Sequence, residues 1–201
     1  MKHHLNPKLK EKYYKILDIA SEMFFEKGFA KTNLVDIVQK TGGSLTTLYK
    51  IFHSKEELFE TILRQQGEKF CKQLSSLPDI QGDDLEDALI QYGIQFYYFY
   101  NSEFSYKIFK LLIQEREAVS DILMKVINSQ NTNRFVMDIL KQNYPHFTEE
   151  DIQFYTNAFL ALLRKDLFYI LTNQQKPTKA EVHKKVEKIV YLFLFGISKK
   201  P

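Results

Sequence analysis

Residues 41–58 read TGGSLTTLYKIFHSKEEL, and this stretch decides how the chain is organised. Gly42-Gly43 makes a tight turn, and Ser44 is placed to cap a short helix that ends near Phe52. Ser54 and Glu57 have the spacing of a capping box at the start of the next helix. Upstream, Thr32 and Asn33 are both able to cap a helix over about Leu34 to Lys40. The segment 33–52 is therefore helix, glycine turn, helix, with the spacing of a helix-turn-helix. Val35, Ile37, Val38, Leu48 and Phe52 supply a small core between its two helices. Leu45, Thr46, Thr47, Tyr49 and Lys50 are left outward. A helix that enters a major groove needs short side chains near its N-terminus, because bulky ones hold its backbone away from the base edges. Hydroxyls and N–H groups there suit phosphates, and a tyrosine hydroxyl reaches a backbone oxygen one turn later. The same pattern equally suits a capped amphipathic helix whose threonines are merely solvated.

Around this segment the spacing is helical throughout, with no alternating strand. Lys10 to Glu26 carries Ile16, Leu17, Ala20, Met23 and Phe24 on one stripe and stops at Gly28. The helix opened by Ser54 is expected to run to about Leu77, and Pro78 to Gly82 is the clearest break in the chain. Beyond it the pattern gives helices over about 85–100, a shorter one from Ser102, a long one over 118–142, and one over 149–172 opened by Thr148. Pro177, Thr178 and Glu181 start a last helix over 179–198.

With 201 residues, 44% of them hydrophobic and 26% charged, the chain has the profile of a helical globular protein of one domain or two small ones. A formal net charge of +3 is too small to indicate nucleic acid, so any basic footprint must be local. Lys2, Lys8, Lys10 and Lys12 in KHHLNPKLKEK provide one, either reaching phosphates or forming a solvated tail. Cys71 is the only cysteine, which excludes an intrachain disulfide and favours a structural thiol over a redox sensor. No secretory signal is visible, and the most apolar run, IVYLFLFGI, falls well short of the roughly 20 residues that span a bilayer. The expectation is a cytoplasmic protein with no membrane contact.

Residues 16–63, ILDIASEMFFEKGFAKTNLVDIVQKTGGSLTTLYKIFHSKEELFETIL, resemble the DNA-binding domain of the TetR family of bacterial repressors. The matching points are Ala20, Phe24 and Gly28, then TNLVDI, Gly42, Ser44, TLY at 47–49, Phe52 and SKEEL at 54–58. The resemblance implies an all-α fold: an N-terminal three-helix DNA-binding domain, residues 10–70, and a helical effector-binding and dimerisation domain, residues 71–201. It places Thr32, Asn33, Tyr49 and Lys55 against phosphate, and Leu45, Thr46 and Thr47 towards bases, with Ser44 and Lys50 beside them. Leu45 offers only apolar contact with a thymine methyl. Gly43 stands where the family usually has an apolar turn residue, and Ile51 where it often has His or Tyr.

Aromatic residues crowd the segment 92–109. Tyr92, Phe96, Phe99, Phe104 and Phe109 either line a pocket for an apolar or aromatic small-molecule effector or form core. Glu115 is expected to point outward. The last two helices are apolar on more than one face, so a twofold mate is the economical cover; Phe159, Leu163, Val186, Ile189 and Phe193 are the expected homodimer contacts. Catalysis has little support, since no phosphate loop, metal spacing or Ser–His–acid order stands out. Pairs such as His183 with Glu187 lack the three or four ligands that a metal wants. No cofactor is expected, and the partner is a double-stranded DNA operator. A helical adaptor that no longer binds DNA is the rival reading.

Overall fold

The computed structural model describes residues 7–75, 85–129, 133–164 and 177–197. Those residues are helical, in the order α1 (Pro7–Lys27), α2 (Leu34–Thr41), α3 (Leu45–Ile51), α4 (Lys55–Ser75), α5 (Leu85–Tyr100), α6 (Glu103–Gln114), α7 (Arg116–Ser129), α8 (Arg134–Asn143), α9 (Glu149–Arg164) and α10 (Lys179–Phe195). They fall into two compact units, Met1–Glu68 with Lys107–Gln130, and Lys69–Tyr106 with Asn131–Pro201. The units divide at 68/69, and the segment 107–130 belongs to the first unit.

In the first unit α1 buries Tyr13, Ile16, Leu17, Ala20, Met23 and Phe24, a stripe at helical spacing. The helix ends at Gly28, whose φ of 92° is a left-handed value that a side chain adopts only under strain. Phe29 then turns back into the core, its ring 5.4 Å from Phe24 and 5.2 Å from Phe59 of α4. Three rings in contact at this corner bind α1, its following turn and α4 together. At the other end Phe52 stacks on Tyr13 at 5.1 Å, which fastens the end of α3 to α1.

The glycine turn forms as its residues dictate. Gly42 is left-handed (φ 71°, ψ 37°), and its N–H bonds Val38 O at the end of α2. Gly43 is not left-handed; a Cβ there would lie 2.9 Å from Lys12 Cε, so the small residue admits the lysine side chain of α1. Ile37 and Leu48 are the buried residues joining α2 and α3, while Val35 is half exposed and takes no part in that core.

In the second unit α5 is central, packed by α8, α9 and α10. Residues on several sides of α5 are buried, including Ala88, Leu89, Tyr92, Phe96 and Tyr97. Gly93 allows close approach: a Cβ there would lie 2.6 Å from Val186 Cγ1 and 3.3 Å from Leu163 Cδ2. The long helix expected over 118–142 is instead two, α7 ending at Ser129 and α8 starting at Arg134. The capping box of Thr178 and Glu181 opens α10 as expected, but the helix stops at Phe195, before the left-handed Gly196. Residues 165–172 of the expected penultimate helix, and the break at Pro78 to Gly82, lie outside the described residues.

Candidate nucleic-acid interface

Ser44 ends its extended backbone at the start of α3 and accepts a hydrogen bond from Thr47 N at 3.2 Å. Its hydroxyl also pairs with Thr47 Oγ1 at 2.8 Å, so both short side chains are held at the helix start. Thr46, Tyr49 and Lys50 are exposed, while Leu45 and Thr47 are half-buried. Asn33 caps α2 by backbone geometry with no side-chain hydrogen bond, which leaves its amide facing solvent. Between the start of α2, α3 and the start of α4 lies an open groove of about 430 Å³, lined among others by Asn33, Val35, Leu45, Tyr49, His53 and Lys55. Five of the nine residues singled out in the sequence (Thr32, Asn33, Leu45, Tyr49 and Lys55) meet at this groove.

Two of those five have side chains occupied elsewhere. Thr32 is fully buried; its single hydroxyl hydrogen is shared between Gly28 O at 2.7 Å and Met23 O at 3.1 Å. The side chain closes the turn after α1 and is not presented to a phosphate. Lys55, read from the sequence as a phosphate contact, donates from Nζ to Phe29 O at 3.0 Å, Thr32 O at 3.3 Å and Ala30 O at 3.4 Å. It also lies 4.5 Å from the centre of the Phe29 ring, a cation–π distance. An ammonium has three donors, and here all three are aimed at backbone oxygens of one turn.

The same turn is held from its other side. Glu115, at the break between α6 and α7, accepts the Ala30 N–H on Oε2 at 2.7 Å. Its carboxylate fills the space over Gly28, where a Cβ would come 2.0 Å from Oε1. The outward orientation expected for Glu115 is corrected: the exposed amide of a turn gives a carboxylate a better partner than solvent does. Long-range pairing of this kind has no local sequence signature.

His53 was missed in the sequence. It lines the groove, is exposed, and its Nδ1 lies 3.0 Å from Glu57 Oε2 one helical turn on. Its place two residues before Lys55, in the non-helical link between α3 and α4, was the available signal. Below the groove Glu60 ties α4 to α7, with Arg64 Nη2 and Lys125 Nζ each at 2.7 Å. Burial alone would raise the Glu60 carboxyl, but the hydrogen bonds from Lys125 and Arg64 outweigh it and hold the group below its ordinary value of 4.5.

Helix-turn-helix geometry with capped helices and an open polar groove is a fold-level observation, and comparison with known proteins gives it a lineage. Residues 16–62 match the model of "Bacterial regulatory proteins, tetR family". This segment is a domain of that family. It is 33% identical over 76 residues to the HTH-type transcriptional repressor ComR of Escherichia coli K12, a match covering 38% of this chain and 36% of ComR. The matched stretch thus spans about a third of that relative's length. Across nearly the whole chain the fold is similar to that of solved transcriptional regulators. The flavonoid-responsive regulator FrrA superposes with a TM-score of 0.76 at 23% identity, over 92% of this chain and 95% of FrrA. FadR of Bacillus subtilis, solved with stearoyl-CoA, gives 0.70 at 16% identity, over 92% and 99%.

The other site residues expected from the sequence fall in the second unit, with one exception. Tyr92 and Phe96 are fully buried, and Tyr92 lies nearly parallel to Phe135 at 5.6 Å. Burial pushes the Tyr92 phenol well above its usual range, against the opposing field of Arg164. Phe99 is half-buried and stacks on Phe70 at 4.5 Å; Phe104 is half-buried as well. Phe109 belongs to the first unit. Of the expected dimer contacts, Phe159, Leu163, Val186 and Ile189 are buried within the single chain, and Phe193 is half-buried against the same core. Helices α9 and α10 direct those residues at α5, because the Gly93 notch lets them approach it. The exposed large apolar residues of these helices include Phe154, Tyr155, Leu192 and Phe195.

Proposed function

We propose that the chain is a ligand-responsive, DNA-binding transcriptional regulator of the cytoplasm, acting as a repressor. A dimer binds a palindromic operator and is released from it by a small apolar or aromatic effector. The observation that carries this reading is the exposed polar face of Asn33, Thr46, Tyr49 and Lys50 on a capped helix-turn-helix within residues 16–62. Thr46 and the half-buried Leu45 and Thr47 face bases, while Asn33, Ser44, Tyr49 and Lys50 take phosphates. Thr32 and Lys55 hold the turn that sets the start of α2. A second copy covers Phe154, Leu192 and Phe195, and its recognition helix sits roughly 34–36 Å from the first, one turn of DNA away.

The effector reading is supported by the aromatic cluster of the second unit and by relatives of like fold, one named for flavonoid response and one solved with stearoyl-CoA. Such a ligand releases DNA only by its differential affinity for two states, so it must itself bind more weakly when operator is present. The deciding experiment is fluorescence anisotropy on the DNA upstream of the gene and on a random duplex, over a series of salt concentrations. A regulator shows a steep negative slope of log affinity against log salt, about 0.9 for each phosphate neutralised. A flat response on both duplexes would favour a helical adaptor.

A further inference from the structure

Arg164 closes the described part of α9 inside the aromatic cluster of the second unit. Its guanidinium carbon lies 5.4 Å from the Phe96 ring centre and 5.0 Å from that of Tyr100, two rings that stack on each other at 4.5 Å. Its Nε is buried and has no hydrogen-bond partner. Among the described residues no carboxylate forms an ion pair with it, whereas the surface cations Lys125, Arg134 and Lys141 each have one. Aromatic faces return roughly 0.5–2 kcal/mol to a cation. A single buried donor left unsatisfied costs about 1–3 kcal/mol, more on a charged group. The cluster therefore lacks an anionic acceptor beside an apolar surface, and a guanidinium fork matches a carboxylate in plane and spacing.

From this we infer that Arg164 is the anion-binding residue of the effector site, and that the effector is a carboxylate with an apolar or aromatic body lying beside the half-buried Tyr100 and Phe99. The inference rests on the reading of the second unit as effector-binding and sharpens its ligand class from apolar to amphipathic anion. Phe99 stacks on Phe70 beside that surface, while the fully buried Phe96 and Tyr92, 5.7 Å apart, back it from within.

Isothermal titration of the full chain without DNA tests it with two matched pairs, octanoate against 1-octanol and 4-phenylbutyrate against 4-phenyl-1-butanol. In at least one pair the acid should bind about tenfold tighter than its alcohol or better, the worth of a charge-assisted hydrogen bond. Arg164→Leu should bind the alcohol as the unmutated chain does and lose the preference for the acid, while Arg164→Lys keeps part of it. Because leucine suits an apolar cluster, Arg164→Leu should unfold at no lower temperature than the parent; should it fail to fold, Arg164→Gln supplies the same comparison. Equal affinity for acid and alcohol in both pairs, failure of both acids to bind, or a preference that survives Arg164→Leu would each overturn the assignment. DNA affinity is not read in this experiment, so an adaptor with a carboxylate site and a regulator without one give different results.

Discussion

Removing the Lys55 ammonium separates two roles that the same residue type can play. As a clamp it makes one good hydrogen bond at 3.0 Å, two long ones at 3.3 and 3.4 Å, and a cation–π contact at 4.5 Å. One charge-assisted bond is worth about 1.5–3 kcal/mol, and the half-exposed setting places the total near the low end, about 2 kcal/mol with the ring contact. For a chain of this size that is roughly 4–8 °C in the unfolding midpoint. Lys55→Ala should therefore lower the midpoint, followed by circular dichroism at 222 nm, by about that amount. It should weaken binding to every duplex, because the start of α2 loses its support, while the slope of log affinity against log salt stays as it was. A phosphate contact would behave oppositely: thermal stability unchanged, and a slope flatter by about 0.9. Finding that second pattern would refute the clamp and return Lys55 to the DNA face.

Three further outcomes follow from the packing. Gly28→Ala should destabilise by about 1–2 kcal/mol from its left-handed φ, and Glu115→Ala in the same chain should relieve the added clash with Oε1 but not that strain, a partial rescue readable by denaturant titration. Val186→Asp should unfold the protomer because Val186 is wholly buried against α5, whereas Leu192→Asp should leave a folded chain whose light-scattering mass is that of a monomer; a folded Val186→Asp protein would contradict the placement of α10. Glu60, with its pKa held down by Lys125 and Arg64, contributes stability that is present above its unfolded value near 4.5 and is lost as pH falls through the lower folded value. Glu60→Gln should thus be less stable than the parent at pH 7 and close to it at the acid end of that window, and a difference independent of pH would count against the ion-pair network.

The sequence alone determined what is local. Helix starts at Ser44, Ser54, Thr148 and Thr178, the glycine stop at Gly28 and the Gly42 turn all depend on residues within four positions of one another, where backbone geometry and capping hydrogen bonds act. The stripe on α1 and the family pattern over 16–62 are legible for the same reason, since periodicity reports which side of a helix is apolar. Which neighbour covers that side is a matter of distance in space. Lys55 and Thr32 read as phosphate contacts until the turn 85 residues before Glu115 folds against all three. Phe159 and Val186 read as an interface because two apolar faces on a helix demand two covers, and only the tertiary packing decides that α5, notched at Gly93, is the cover for these residues. The unpaired Nε of Arg164 belongs to the same class: nothing within four positions of it in the chain signals that the rings of Phe96 and Tyr100 close on it.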